Sequence, residues 1–201
     1  MAAHLTDIAD IRQGLAFRSK VEHQPAGSIR VVQAKNLGED GRVELGDIVR
    51  VSAVKFSPEQ RLRSGDVLLQ ARGVNYPAAL VAADLGEAVA AAPLYVIRPK
   101  VEQLDAEYLV LYLTYPVVQA RLRSRATGTY VPQLPRAEID GIRIHLPSLD
   151  DQRRLVALGR LAYRERQLTG VLIERRNEIL WAAMKEAADE KTQGRGNAPG
   201  P

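Results

Sequence analysis

Apolar and polar positions divide the chain into two regimes. Up to about residue 147 the apolar residues come in short runs broken by turn residues, and beyond it they recur at helical spacing. Ile29-Arg30-Val31-Val32-Gln33-Ala34 alternates and stops near Asn36 and Gly38, which predicts a strand. Gly65-Asp66 is a turn that launches Val67-Leu68-Leu69-Gln70-Ala71, and 78–83, 93–98 and 142–147 read as further strands. Asp105 is placed to cap a helix over 106–113, to which Tyr108, Leu109, Leu111, Tyr112 and Leu113 give apolar surface. Pro116 suits the first turn of a second helix, which runs to about Ala126 and stops before Gly128. Strands interspersed with helices predict an α/β (α+β) domain with a mixed sheet over 1–147.

The second regime has no proline from Ser148 to Ala188. Leu158, Leu161, Leu168, Leu172 and Ile179 fall on one seam, with Arg, Glu and Gln between them. One long C-terminal helix over 148–190 is expected, and about 40 residues would span roughly 60 Å. Such a stripe wants another helix, so a coiled coil is its natural solution. A hairpin folded back near Gly170 is the alternative, since glycine inside a helix costs only about 1 kcal/mol. Residues 191–201 lack core formers and are expected to be a disordered tail.

Composition narrows the function classes. A hydrophobic fraction of 46% is enough to build a sizeable core. No run of about 18 apolar residues predicts a membrane span. The start, Met1-Ala2-Ala3-His4-Leu5-Thr6-Asp7, lacks the basic and apolar segments of a secretion signal, so a cytoplasmic protein is expected. The absence of cysteine excludes a disulfide framework, a thiol nucleophile and cysteine-ligated zinc. The net charge of +4 is modest, but 22 arginines stand against 6 lysines. Arginine offers a planar fork for phosphates and guanine edges. A GC-rich genome accounts for the same bias, so the charge permits nucleic-acid binding without requiring it.

No catalytic constellation is expected. His4, His23 and His145 have no metal-ligand spacing, and no metal site is predicted. There is no Gly-Lys-Ser/Thr phosphate loop and no Gly-x-Ser-x-Gly elbow. Asn75-Tyr76-Pro77 carries pieces of the motif with which amino-methyltransferases hold a target base, but in the wrong order and without a glycine-rich cofactor loop before it. Asp189-Glu190-Lys191 has the acid-x-Lys spacing of many nucleases, at the end of a helix where a solvated charge cluster is the plainer reading.

Five segments in order resemble the specificity (S) subunits of type I restriction–modification systems. Leu5-Thr6-Asp7-Ile8-Ala9-Asp10-Ile11-Arg12-Gln13-Gly14 is similar to that family's opening strand and glycine turn. Arg63-Ser64-Gly65-Asp66-Val67-Leu68-Leu69-Gln70-Ala71-Arg72-Gly73 is similar to its Gly-Asp-Ile-Leu segment, and Leu104-Asp105-Ala106-Glu107-Tyr108-Leu109 to its helix start. Ala126-Thr127-Gly128-Thr129-Tyr130-Val131-Pro132-Gln133-Leu134 is similar to its Gly-Ser/Thr loop. The run from Ile142 to Gln152 resembles the Ile-Pro-Leu-Pro-Pro-Leu-x-Glu-Gln signature that opens the family's long helix, with Ser148 and Asp151 replacing Pro and Glu. A full subunit carries two recognition domains and two long helices, where this chain shows one of each, as in a half-size form.

The resemblance implies a target-recognition domain that binds double-stranded DNA beside a modification methyltransferase subunit, and often a translocating nuclease. It implies no cofactor of the chain's own, since S-adenosylmethionine and ATP would sit in those partners. Mapped onto the sequence, the reading loops supply Arg12, Gln13, Arg18, Gln33, Lys35, Asn36, Arg72, Asn75, Tyr76, Thr129, Tyr130, Gln133 and Arg136 as base-reading candidates. Tyr130 has two readings, contact with DNA or packing on its loop. Gly14, Gly73 and Gly128 are expected to permit backbone turns. Arg121 and Arg125 share a helix face that suits phosphates, or is merely solvated. A homodimer joined through Leu158, Leu161, Leu168, Leu172 and Ile179 would read an interrupted palindrome. The competing classes are an adaptor that dimerises through the helix without binding DNA, and an uncommon nuclease or methyltransferase fragment.

Overall fold

The computed structural model describes residues 2–52 and 54–194, with side chains of the last helix up to 186. The chain divides into two compact units, Met1–Ala157 and Leu158–Pro201.

The first unit begins with β1 (Ala2–His4), the one-turn helix α1 (Leu5–Ile8) and β2 (Ala9–Gln13). The opening segment is therefore not one strand. Leu5 and Ile8 sit one helical turn apart and are both buried, so the turn brings to one face two residues that a strand would point to opposite faces. Then come β3 (Ile29–Val32), β4 (Val49–Val51), β5 (Val67–Gln70), β6 (Ala78–Leu80), β7 (Ala88–Ala90) and β8 (Leu94–Pro99). Two helices, α2 (Ala106–Thr114) and α3 (Pro116–Arg125), precede the short α4 (Arg136–Asp140) and β9 (Arg143–His145). The predicted strand over 78–83 is shorter than expected. The strands β4 and β7 and the helix α4 are too short to leave a periodic signature.

The strands form a four-stranded antiparallel sheet ordered β2-β8-β5-β6, a three-stranded sheet ordered β4-β3-β7, and the pair β1-β9. In the second sheet β3 runs antiparallel to β4 and parallel to β7. Central strands buried on both faces read as continuous apolar runs, and Val67-Leu68-Leu69 is one, with no exposed residue. Alternate residues serve different cores. Val67 and Leu69, with Tyr95 and Ile97 of β8, pack against Leu5, Tyr108, Leu109, Leu113 and Ile139 of the helices. Leu68, Leu94 and Val96 pack instead with Val32, Ala88 and Ala90 of the other sheet. The outer face of that sheet gathers Ile29, Val31, Val49, Val51 and Val89 under Phe17, Val21 and Phe56 of the neighbouring loops.

Polar side chains fasten this stack at a few points. Asp66 is buried and takes two parallel bonds from Arg98, Nε to Oδ1 at 2.6 Å and Nη2 to Oδ2 at 2.7 Å. It also accepts from the Arg63 backbone N–H at 2.8 Å, which closes the Gly65 turn where φ is +91°. Asp105 caps α2 as expected, accepting from the backbone N–H groups of Glu107 at 2.9 Å and Tyr108 at 3.0 Å.

The last helix, α5 (Leu149–Gly194), runs unbroken through Gly170, so the hairpin alternative is not realised. Its opening turns belong to the first unit. Ser148 accepts from the Asp151 backbone N–H at 3.2 Å and donates to the Asp151 carboxylate at 2.7 Å, so the two departures from the family signature act as one cap. Gln152 is fully buried. It accepts from the Asp105 N–H at 2.9 Å and donates to the carbonyls of Gln103 at 2.9 Å and Pro147 at 3.1 Å. Val156 adds an apolar contact to the same core. The compact unit therefore takes in the first turns of the helix. In the second unit Leu158, Leu161, Leu168, Leu172 and Ile179 are exposed. Ile173, Leu180 and Met184 are exposed as well and form a second apolar stripe, about 110° around the helix from the first at 100° per residue. Of the tail expected over 191–201, α5 takes in the first four residues, and 195–201 lie outside the described residues. Among the described residues no helix is long and apolar enough to cross a membrane.

Candidate nucleic-acid interface

Topology brings the candidate loops to one edge of the sheets. Both β2 and β5 run antiparallel to β8, so Gln13 lies against Tyr95 and Gln70 against Leu94, at the start of β8. Since β3 and β7 are parallel, Val32 and Ala90 also end together, and 91–93 carries the chain from β7 into β8. The segments that leave β2, β3 and β5 therefore emerge around 91–93. Leu15 N–H donates to Ala90 O at 2.7 Å, Ala91 N–H to Val32 O at 2.8 Å, Ala92 N–H to Leu15 O at 2.8 Å, and Ala71 N–H to Pro93 O at 3.1 Å. Sequence reading missed this hub because Ala91, Ala92 and Pro93 carry no polar side chain. Gly14 is explained here too: a Cβ would come within 2.7 Å of Ala90 O, so its role is close backbone approach.

Two of the candidate loops are joined directly. Thr127 and Gln133 exchange backbone bonds at 2.9 and 2.8 Å, closing a turn at whose start Gly128 has a φ of +100°. Leu134 N–H donates to Ala71 O at 2.7 Å and Gly73 N–H to Pro132 O at 2.8 Å, pairing the turn with 71–73. Gly73 has a φ of +121°, a region that L side chains rarely adopt. From the other side, Gln119 of α3 accepts from Tyr76 N–H at 3.2 Å and donates to Tyr76 O at 2.8 Å and Leu113 O at 2.7 Å. The result is a tethered platform on which Arg72, Val74, Asn75, Thr129, Tyr130, Val131 and Gln133 are exposed. Tyr130 does not pack on its loop; it is fully exposed.

Other candidates are committed to the fold. Tyr76 points into the core, where burial pushes its pKa up while Arg123 pulls the other way, so it is not available to read a base. Asn36 is buried, and its Oδ1 accepts from Gln33 N–H at 2.9 Å to close a short 3-10 turn over Ala34–Asn36; it is not a reader either. Gln33 is half-buried, leaving Lys35 as the exposed candidate of that turn. Arg12 is half-buried and donates to Glu59 O, with its pKa lowered by burial and then by Arg98, so it fastens a loop. Arg136 opens α4 and donates to Asp140 at 2.6 Å while lying over the Tyr95 ring at 5.8 Å, but its side chain is 44% exposed and the pair is a surface one, so it stays among the exposed candidates. Gln13 and Arg18 remain exposed beside the hub. On α3, Arg121, Arg123 and Arg125 are exposed, with Arg125 paired to Glu138 at 3.0 Å. Among the described residues no group of His, Asp or Glu could hold a metal ion. The side chains of Asp189, Glu190 and Lys191 lie outside those described.

A family model for the type I restriction modification DNA specificity domain matches residues 2–158. A chain from a structure concerned with complex assembly and conformational transition of the type I R-M system is 22% identical and superposes with a TM-score of 0.62, covering 95% of this chain and 41% of that one. The HsdS subunit from Thermoanaerobacter tengcongensis is 22% identical, with a TM-score of 0.58, covering 82% of this chain and 37% of its own. The type I S subunit from M. genitalium is 15% identical, with a TM-score of 0.53, covering 79% and 37%. At these identities the likeness is one of fold, and the chain spans about two fifths of the length of those it matches. No curated protein sequence matches the chain.

Proposed function

Because this chain belongs to the type I restriction modification DNA specificity domain family, we propose that it selects target sequences in double-stranded DNA for a modification methyltransferase and carries out no chemistry of its own. The observation that carries this reading is the tethered platform. Arg72, Asn75 and Gln133 present the forked donors and paired donor–acceptor groups that distinguish guanine and adenine in the major groove. The backbone bonds around them hold these groups in place before DNA arrives. Arg121, Arg123 and Arg125 supply sequence-independent attraction to phosphates. S-adenosylmethionine then belongs to the methyltransferase, and ATP to a translocating nuclease where one joins. In this reading 1–147 is the recognition domain and 148–190 the helix that docks partners.

Two copies of the chain pair through α5. Leu158, Leu161, Leu168, Leu172 and Ile179 form an exposed seam that a second identical helix covers. An antiparallel pair carries two equivalent recognition domains, and the target is an interrupted palindrome. Replacing Leu168 and Leu172 together with Glu is expected to convert a dimer into a monomer by light scattering. A wild-type chain that stays monomeric at micromolar concentration overturns the pairing.

DNA binding is tested by gel shift with random duplexes at two salt concentrations. Affinity that falls steeply with salt is expected, because phosphate contacts release counterions. A chain that dimerises but binds no duplex at low salt is an adaptor, and the DNA reading fails.

A further inference from the structure

The platform carries an apolar tip among its polar readers. Val74, Tyr130 and Val131 are 69%, 101% and 45% exposed. Scattered apolar residues on a surface need no explanation, but these three lie together. Arg72 is set against Gln133 and Gly73 N–H bonds to Pro132 O, so Val74, which follows Gly73, and Val131, which precedes Pro132, flank that bond. Tyr130 is the next residue back along the turn. The tip is held rather than loose: Leu134 is buried beneath it, and the Thr127–Gln133 bonds close its base.

We propose that this tip reads the 5-methyl groups of thymine in the major groove, which makes methyl-bearing positions part of the target. The proposal rests on the DNA-facing reading of the platform. Valine side chains have no hydrogen-bonding group, so they cannot read the donor or acceptor of a base edge. The apolar feature that a base pair offers is the thymine methyl, and it lies in the major groove. A short valine side chain is also a poor wedge, since it lacks the reach of the larger apolar residues that enter between stacked bases. The two valines therefore suit methyl contact, and the fully exposed Tyr130 ring is free to close over the same spot once DNA is bound.

The test uses the full chain and a duplex selected by it from a random pool. Each thymine of the selected duplex is replaced in turn by uracil, which pairs identically and lacks only the methyl. The wild-type chain is expected to bind about fourfold more weakly for each contacted methyl removed, from roughly 0.8 kcal/mol per buried carbon. Val131→Ser removes both methyls and leaves a hydroxyl, and Tyr130→Ser removes the ring; both positions are exposed, and thermal unfolding checks that each variant remains folded. Both variants are expected to lose the thymine preference while keeping whatever preference depends on Gln133. Equal binding of thymine and uracil duplexes by the wild-type chain, a selected target without thymine, or a preference undiminished in both variants overturns the proposal and leaves the DNA reading standing. Failure of the wild-type chain to bind any duplex defeats both.

Discussion

Two groups of loops leave the same edge of the sheets with nearly the same polar residues, and they use them differently. Around 12–36, Arg12 and Asn36 turn inward onto backbone groups of the fold, while Gln13, Arg18 and Lys35 stay exposed. Around 72–76 and 127–134, Arg72, Asn75 and Gln133 turn outward. The difference lies in how each loop satisfies its backbone. The second group is tied by main-chain bonds, Gly73 to Pro132, Leu134 to Ala71 and Thr127 to Gln133, so its side chains are left over. The turn at 33–36 has main-chain bonds as well, Asn36 N–H to Gln33 O and Glu44 N–H to Asn36 O, but its Gln33 N–H is satisfied by the Asn36 side chain. An asparagine in a loop is therefore a reader or a fastener according to what its neighbours' backbone already has.

The sharpest way to break that division is to attack a fastener. Replacing Asp66 with Ala leaves the Arg98 guanidinium partly buried without its carboxylate and the Arg63 N–H without an acceptor. A loss of about 3 kcal/mol in urea unfolding is expected, at the low end for a broken buried pair because Arg98 is 20% exposed. An unfolding midpoint within error of wild type would mean that the turn at Gly65 is held by something else.

Next in size are the readers. Arg72→Ala and Gln133→Ala are expected to leave stability within about 0.5 kcal/mol, as surface substitutions do. Each is expected to cost about 2 kcal/mol of discrimination between the selected target and a variant base pair. Competition binding against single-base variants measures it. Should both variants keep full discrimination, the platform is not where the sequence is read.

Asn36→Ala inverts that pattern. A loss of about 1 kcal/mol in stability is expected, the cost of removing a capping acceptor, with target choice unchanged. A change of target choice at unchanged stability would place Asn36 among the readers after all.

What was legible in the sequence follows the same physical line. The cap at Asp105, the first-turn Pro116 and the buried run Val67-Leu68-Leu69 are local signals, and each stands where expected. Tertiary partners are not local. Nothing in the sequence distinguishes Asn36 from Asn75, or tells that Tyr76 turns inward while Tyr130 turns outward. The hub at 91–93 was invisible to a search for chemistry because its contribution is backbone alone. Ser148 and Asp151, read singly as departures from a signature, become intelligible only as a pair that bonds to each other. The second stripe on α5 was present in the residue spacing, but the first stripe already accounted for a partner helix.

The smallest expected effect concerns the phosphate face, and it tests whether positioning and reading are separate. Arg121 and Arg125 lie one turn apart on α3, on the same face. Arg125 holds Glu138 at 3.0 Å, but their side chains are 53% and 36% exposed, and an exposed pair of this kind contributes about 0–1 kcal/mol. DNA can therefore displace Glu138 at little cost. Arg121→Ala is expected to lower the dependence of log affinity on log salt by about 1 and to weaken all sequences alike. Glu138→Gln removes a competing carboxylate, so it is expected to strengthen binding slightly, most at low salt, with target choice unchanged. The two variants move affinity in opposite directions through one surface. If Arg121→Ala instead changed which sequence is preferred, α3 would be reading bases, and the boundary drawn between the tethered platform and its basic flank would be in the wrong place.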